Sequence, residues 1–488
     1  MTSAMLIMLL PIILVTATAV ATMLMVAIKR RHGTSCTVTV VGLSLALASL
    51  YFSIPITNLE VTPLIQIDGF SIFFSAVILL CAIIVACFSY PYFSNLEDHQ
   101  DEFYILLSVA VLGALVMVSN SHFITTFLGM ETLSVCLYGM VAYPLHRSVA
   151  AQYPMEASIK YLVLSALSSG FVLFGIALLY AQTGTLQFSD LSVALATGIG
   201  VVPPVYFVLC TLMIIAGFAF KLSLVPFHLW TPDVYEGAPL PATTFLATVG
   251  KIAMAALLMR FMSVSAVLSS DAVVFVLGLI AAASILFGNL LALLQSNLKR
   301  LLSYSSIAHM GYLVIALISL NSGAGSLGVE AVSFYLLAYV IMSLGAFGVM
   351  MVVSDSAQER DHIGHYQGLF WRNPWLALVM TAMLFSLAGI PLTIGFIGKF
   401  YIFAAGVQAG HWGLLIAMVI GSGIGLFYYL RIVYGMLTPL KEPLDLPVAG
   451  LKELVPHCVL LFLLLALLVL GIVPGALMQW LEWMANTL

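Results

Sequence analysis

Six ionisable side chains stand inside long apolar runs of this sequence: Glu131, Lys160, Lys221, Lys251, His309 and Lys399. If such runs cross a membrane, each charge costs about 2.5 to 3.5 kcal/mol on insertion scales, so it persists only with a partner, a hydrated cavity or a task. Lysine gives up its proton readily when buried, whereas arginine stays charged. The histidine adds an imidazole whose ordinary pKa of about 6.5 suits a relay. The chemistry open to this set is proton exchange. Structural readings stand beside it: a fixed Glu131–Lys221 ion pair, a Lys160 that snorkels to the interface, and a His309 that packs helices.

The local sequence around each group says how it is held. Lys221 lies in GFAFKLSLVPFHLWTPDVY, residues 217–235, with Pro226 five residues later. A proline removes a backbone donor and clashes with the preceding turn, so a helix kinks or breaks beside this charge. Lys399 follows SLAGIPLTIGFIG, in which Gly389, Pro391, Gly395 and Gly398 interrupt another long run. Glu131, in ITTFLGMETLSVCLYGMV, is the carboxylate deepest in any run. Lys251 sits in FLATVGKIAMAALL and His309 in KRLLSYSSIAHMGYLVIAL, while Lys160 stands four residues after Glu156, a spacing that pairs on a helix face. His228, Trp230, Asp233 and Glu236 read as loop anchors, and Tyr428, Tyr429 and Arg431 as an interfacial anchor.

The elements that position these groups are membrane helices. The chain has 488 residues, 62% hydrophobic and 7% charged, with a mean hydropathy of +1.15; a soluble domain carries roughly 25% charged residues. Apolar runs of spanning length, about 20 residues, fall near 4–28, 35–54, 69–90, 103–120, 122–142, 156–181, 203–230, 239–262, 271–294, 300–320, 328–353, 375–408, 411–436 and 454–473. The expectation is an all-α polytopic membrane protein with fourteen transmembrane helices. The first run is too long for a signal-peptide core and reads as a retained helix. Six scattered cysteines show no metal-ligand spacing, so no metal is expected and they read as small buried hydrophobes. Dinucleotide, Walker and iron–sulfur motifs are absent, as is any basic tract for nucleic acid.

Basic residues set the expected orientation. Lys29, Arg30, Arg31, Arg147, Lys299, Arg300, Arg360, Arg372, Arg431, Lys441 and Lys452 flank loops after odd-numbered spans, against Arg260 alone after an even one. Odd loops then face the cytoplasm and both termini the periplasm. The basic residues left over are the four lysines of the opening paragraph. Spans seven and twelve are both long, interrupted and lysine-bearing, and both are fourth in a set of five. Gly/Pro-broken segments at matching places in two halves point to inverted repeats around an ion site. The expected domains are residues 1–102 (helices 1–3), 103–262 (first five-helix repeat), 263–436 (second, inverted repeat) and 437–488 (helix 14 and tail), each repeat containing a discontinuous helix.

At GFAFKLSLVPFHLWTPDVYEGAPLPATTFLATVGK the sequence resembles the antiporter-like subunits of respiratory complex I, a family shared with Mrp-type cation/proton antiporters. WTPDVYEGAP is similar to the N-type form of bacterial NADH-quinone oxidoreductase, where L- and M-type relatives read VPFHLWLPDAH. FLGMETLSVCLYGMVAY, MEASIKYLVLSALSSG, SNLKRLLSYSSIAHMGYL and SLAGIPLTIGFIGKFY also match, so the resemblance covers nearly the whole chain. The long helix that L-type relatives carry after the core is not expected here.

The resemblance implies a proton channel in which Glu131 pairs with Lys221, Lys251 connects, Lys399 terminates and Lys160 contributes, with His309 as a further relay group. It implies quinone reduction elsewhere in the complex, with FMN, iron–sulfur clusters and quinone in other subunits and no cofactor in this chain. The implied partners are other membrane subunits, neighbouring antiporter-like ones included, with the lipid bilayer and protons, in the bacterial inner membrane. The competing readings are an Mrp-type cation/proton antiporter subunit and a non-pumping membrane scaffold.

Overall fold

The computed structural model describes residues 3–56, 59–94, 100–143, 152–197, 204–321, 325–354, 359–439 and 454–487. Arg147, Lys441 and Lys452 of the charge count lie outside the described residues. The helices in chain order are α1 (Ser3–Ile28), α2 (His32–Ser53), α3 (Gly69–Phe93), α4 (Glu102–Val118), α5 (Phe123–Ala142), α6 (Gln152–Thr183) and α7 (Phe188–Thr197). Then come α8 (Pro204–Leu222), α9 (Trp230–Gly237), α10 (Leu240–Met262), α11 (Ser265–Leu268), α12 (Asp271–Leu293), α13 (Leu298–Ile318) and α14 (Gly325–Val353). The last are α15 (Leu369–Arg372), α16 (Pro374–Ala388), α17 (Ile394–Gln408), α18 (Trp412–Leu437), α19 (Leu454–Ile472) and α20 (Gly475–Ala485). Among the described residues the strands are two, β1 (Leu59–Thr62) and β2 (Ile65–Ile67), which form an antiparallel hairpin between α2 and α3.

Among the described residues twelve helices are long and apolar enough to cross a membrane, and α4, α16 and α17 are shorter apolar helices. With α4 as one crossing and α16 plus α17 as a single broken one, the fourteen expected crossings are accounted for. α10 and α13 are buried almost throughout, as helices apolar around their whole circumference must be. α1, α2, α12, α18 and α19 surround the centre and turn Leu24, Leu45, Phe287, Val419 and Leu465 outward. Such side chains suit a hydrocarbon solvent rather than water.

The elements recur in order. α4, α5, α6, the broken pair α8/α9 and α10 are followed by α12, α13, α14, the broken pair α16/α17 and α18. Close backbone approach marks the first pair in each set. A Cβ on Gly113 of α4 would come 2.7 Å from Leu133 N of α5, and one on Gly288 of α12 would come 2.7 Å from Ala308 N of α13. Small residues at such crossings let membrane helices pack closely.

The breaks differ from the sequence expectation in one detail. The first begins at Ser223, directly after the turn that carries Lys221, and not at Pro226. The second runs from Gly389 to Thr393, ahead of Lys399. Among the described residues, Ser223 (φ 63°) and Leu392 (φ 71°) are the non-glycine residues with positive φ, one in each break. A left-handed conformation costs an L-residue about 1–2 kcal/mol, and such outliers concentrate where the backbone serves a function.

Candidate functional site

Glu131 and Lys221 do not meet directly; serines stand between them. Ser169 on α6 donates to Glu131 Oε1 at 2.5 Å. One turn earlier on the same helix, Ser165 accepts from Lys221 Nζ at 2.5 Å. Ser134, three residues beyond Glu131 on α5, takes a second Lys221 proton at 2.6 Å. Tyr138 also donates to Ser165, at 2.6 Å. The α6 face that supplies these serines is held against α8 by Ser168, whose hydroxyl donates to Gly217 O at 3.0 Å. In place of a direct Glu131–Lys221 ion pair, the carboxylate is held by Ser169 and the ammonium by Ser134 and Ser165, on neighbouring turns of α5 and α6.

Lys251 is buried on α10 and reaches into the first break. Its Nζ donates to Ser223 Oγ at 2.5 Å and to Lys221 O at 3.4 Å. That carbonyl is free because Val225 N, its normal helical partner, donates instead to Ser284 Oγ on α12 at 2.9 Å. Thr231 donates to Ser223 Oγ at 2.6 Å, extending the chain of hydroxyls onto α9. Trp230 forms the wall of this chamber. Its ring stacks on Tyr161 (4.7 Å) and Phe220 (5.3 Å) and lies 5.7 Å from Lys251 Nζ, within cation–π range. The reading of Trp230 as a loop anchor is corrected: it is buried against the lysines.

The second half holds Lys399 without a carboxylate. Its Nζ donates to Ala388 O (2.9 Å), Ser422 Oγ (3.0 Å) and Leu387 O (3.1 Å). Leu387 O lacks a helical donor because the residue four positions on is Pro391. The carbonyl end of α16 also carries the negative pole of the helix dipole, which favours a cation. In both breaks, therefore, a lysine ammonium fills a carbonyl vacated by the interrupted helix.

His309 on α13 is bracketed by two phenols: Tyr335 OH bonds Nδ1 at 2.6 Å and Tyr429 OH bonds Nε2 at 3.3 Å. Tyr429 is hydrogen-bonded in turn to Ser305. Tyr428 donates to Asn289 Oδ1 at 3.0 Å, and Asn289 Nδ2 donates to Tyr312 OH at 3.0 Å. The Tyr312 ring lies 5.4 Å from Lys399 Nζ. Tyr428 and Tyr429 are therefore buried members of this array and not the interfacial anchor read from sequence. Arg431 alone keeps that role, donating to Leu293 O and Gln295 O. His309 is not hydrogen-bonded to Lys251.

Lys160 stands apart from the buried set. It is exposed and bonds Glu156 at 2.8 Å and Asp233 at 3.0 Å, and Asp233 also takes Arg300 at 2.9 Å. Burial pushes the Asp233 carboxyl up, but Lys160 and Arg300 outweigh it and hold the group below its ordinary value. Two of the charges counted as flanking loops are buried. Lys299 pairs with Glu359 at 2.8 Å and donates to Ala238 O. Arg260 makes a two-pronged pair with Asp68 at 2.9 and 3.0 Å. Among the described residues no three His, Cys, Asp or Glu side chains gather as a metal site.

Residues 120–425 match the family model described as NADH:quinone oxidoreductase/Mrp antiporter, transmembrane. The chain belongs to this family. Within the family, a chain of respiratory complex I from Thermus thermophilus, solved with bound aureothin, is 31% identical, with a TM-score of 0.81, 96% of this chain and 98% of that one covered. A chain of the archaeal membrane-bound sulfane sulfur reductase is 26% identical at a TM-score of 0.81, with 99% and 97% covered. One from the Mrp complex of Dietzia sp. DQ12-45-1b is 20% identical at a TM-score of 0.86, with 100% and 97% covered, a likeness of fold. This antiporter-like chain is thus a multi-pass membrane protein of a family found in multi-subunit membrane complexes.

Four features of the site were not read from the sequence: the serines at 134, 165, 169 and 223, the Trp230 wall, the tyrosines around His309, and Asn289. The serines did leave a signal. SALSSG sets three hydroxyls within one turn of an otherwise apolar run, and Ser134 shares a helical face with Glu131.

Proposed function

We propose that the chain is the N-type antiporter-like subunit of a bacterial NADH-quinone oxidoreductase and carries protons across the inner membrane. Its driving energy comes from quinone reduction in partner subunits, which hold FMN, iron–sulfur clusters and the quinone site. The observation that carries this reading is the placement of both charges on hydroxyls of neighbouring turns, Ser134 and Ser165 for the Lys221 ammonium and Ser169 for the Glu131 carboxylate. A charged Glu131 favours the protonated lysine; neutralising or withdrawing it leaves desolvation to expel the proton. The proton moves on through Lys251 at the break, the His309 hydroxyl array and Lys399, and leaves toward the periplasm. Residues 103–262 and 263–436 act as the two inverted repeats, with both termini periplasmic. The magnitudes agree: a proton moved against 100 mV costs about 2.3 kcal/mol, close to the worth of one hydrogen bond to a charged group, about 1.5–3 kcal/mol.

The 31% identity to a complex I chain and the N-type reading of WTPDVYEGAP support the redox-linked assignment over a sodium-exchanging one. The test is NADH-driven proton pumping in membranes carrying Lys221→Ala or Glu131→Ala, with assembly followed on native gels. Pumping should fall while the complex remains assembled. Normal pumping with normal assembly refutes the relay, and sodium-dependent transport without NADH oxidation assigns the chain to the antiporter complexes instead.

A further inference from the structure

α9 is eight residues long, too short to hold a helix by itself, so its pose is set from outside. Its first turn supplies two walls of the Lys251 chamber: the Trp230 ring, 5.7 Å from Lys251 Nζ, and Thr231, which donates to Ser223 Oγ at 2.6 Å. α10 carries Lys251 itself and follows α9 after Ala238 and Pro239. The relation between the lysine and its walls is therefore fixed at that joint.

One buried ion pair holds both sides of the joint. Lys299 Nζ donates to Ala238 O, the carbonyl that ends α9, at 2.6 Å and to Glu359 Oε2 at 2.8 Å. Glu359 Oε1 accepts the first N–H of α10, from Leu240, at 3.0 Å, and also the Tyr92 hydroxyl. The polarity matches the helices, with an ammonium at the carbonyl pole of α9 and a carboxylate at the N–H pole of α10. The Lys299 side chain is 0% exposed and that of Glu359 17%. Arg300 also grips α9, but through Asp233 and Glu236, whose side chains are 37% and 41% exposed, and such pairs contribute little. Both members of the buried pair are carried by α13: Lys299 lies in its first turn, and the chain just after Glu359 is strapped beside its start, Leu298 N donating to Asp361 O at 2.5 Å and Ile363 N to Ser296 O at 2.9 Å.

We propose that Lys299 and Glu359 are positioning residues for the Lys251 chamber, which clamp the α9–α10 joint at matched helix poles and so set where Trp230 and Thr231 stand against the lysine. The second five-helix set thereby fixes the geometry of the break in the first. The effect on transport rests on the proton-carrying reading of the chain; the effect on structure does not.

The test is hydrogen–deuterium exchange of the whole complex, read in residues 223–231 and 238–244, with the ratio of protons pumped to NADH oxidised measured on the same preparation. Glu359→Gln keeps the shape and an acceptor for Leu240 N–H but removes the charge, and charge-assisted bonds are roughly twice as strong as neutral ones. Exchange should rise about tenfold in both stretches, equivalent to about 1.4 kcal/mol, and the pumping ratio should fall. A rise confined to 238–244, or no rise in either stretch, overturns the proposal. Lys299→Glu combined with Glu359→Lys rebuilds an ion pair of opposite polarity. Wild-type exchange in that double variant overturns the proposal, because a pair of either polarity then suffices. Exchange that stays raised in both stretches supports it, as does failure of the reversed pair to assemble where Glu359→Gln assembles. If Glu359→Gln does not assemble, Tyr92→Phe decides, since it removes one of the three donors on the same carboxylate: exchange should rise about threefold in both stretches, the lower end for a neutral hydrogen bond, and unchanged exchange in 223–231 overturns the proposal. Raised exchange in both stretches with a normal pumping ratio upholds the clamp and counts against the relay through Lys251 instead.

Discussion

Ser165→Ala removes the hydroxyl that Lys221 and Tyr138 share. Lys221 is 9% exposed, so no bulk water replaces the lost acceptor, and Ser134 is left as its remaining side-chain partner. A hydrogen bond to a charged group contributes about 1.5–3 kcal/mol. The protonated lysine loses that support, and at about 1.36 kcal/mol per tenfold the transfer through it should slow roughly ten- to hundredfold. The assay is NADH-driven acidification of inverted membrane vesicles, normalised to NADH oxidation and to assembled complex. Ser165→Thr keeps a hydroxyl and should recover most of the rate. Ser168→Ala, which loses only the bond to Gly217 O, controls for α6–α8 packing. A wild-type pumping ratio in Ser165→Ala, or an equal loss in Ser168→Ala, refutes the hydroxyl bridge as the coupling element.

Ser223→Gly and Ser223→Ala separate backbone from side chain: both deprive Lys251 and Thr231 of their shared hydroxyl, while only glycine relieves a left-handed residue that costs about 1–2 kcal/mol, so pumping should fall in both and melting temperature should fall less in the glycine variant. Arg260→Leu leaves Asp68 buried and unpaired, a loss of about 3–5 kcal/mol; assembled complex should drop sharply on native gels, and Asp68→Asn in the same chain should restore part of it. Asp233 is held below its ordinary value by Lys160 and Arg300, after burial alone would raise it. Its folded pKa is depressed, so the stability it supplies is present above the unfolded value, near pH 4, and is lost as pH falls through the folded one. Melting curves should therefore show no contribution from Asp233 to pH dependence between pH 5 and 8, and Asp233→Asn should flatten only the acid limb.

Much of the fold is legible because hydrocarbon imposes a single length and an internal hydrogen-bond rule on every crossing. The runs around Lys251 and His309 match α10 and α13 closely. The breaks were visible as Pro226 and as the glycines and proline before Lys399, yet the first falls at Ser223. Its position depends on Val225 N finding Ser284 on a distant helix, which no local pattern encodes. That Lys299 and Arg260, counted at helix ends beside loops, are buried is illegible for a related reason. Both stand near helix ends and look like loop charges until Glu359 and Asp68 are brought to them by the fold. Tyr428 and Tyr429 look like interfacial aromatics for the same cause, and only the packing of α18 on α12 and α13 buries them. The lysines stood out because charge is conspicuous in apolar sequence, whereas the serines that join them are small and common.

One detail of Lys399 has a mechanical side. An ammonium offers three N–H donors, and Lys399 directs them at three acceptors: Ser422 Oγ and the carbonyls of Leu387 and Ala388. The neutral amine has two. Whenever the proton departs, the valence no longer matches, and one acceptor must seek another donor. Leu387 O can find none within its own helix, because Pro391 has no N–H. A buried acceptor left unsatisfied costs about 1–3 kcal/mol, so the end of α16 is under a force that appears and vanishes with a single proton. If Lys399 carries protons as proposed, the interrupted helix is a transducer: the occupancy of one nitrogen sets the tension on a hinge, the form in which a chemical event can be felt by the next helix along.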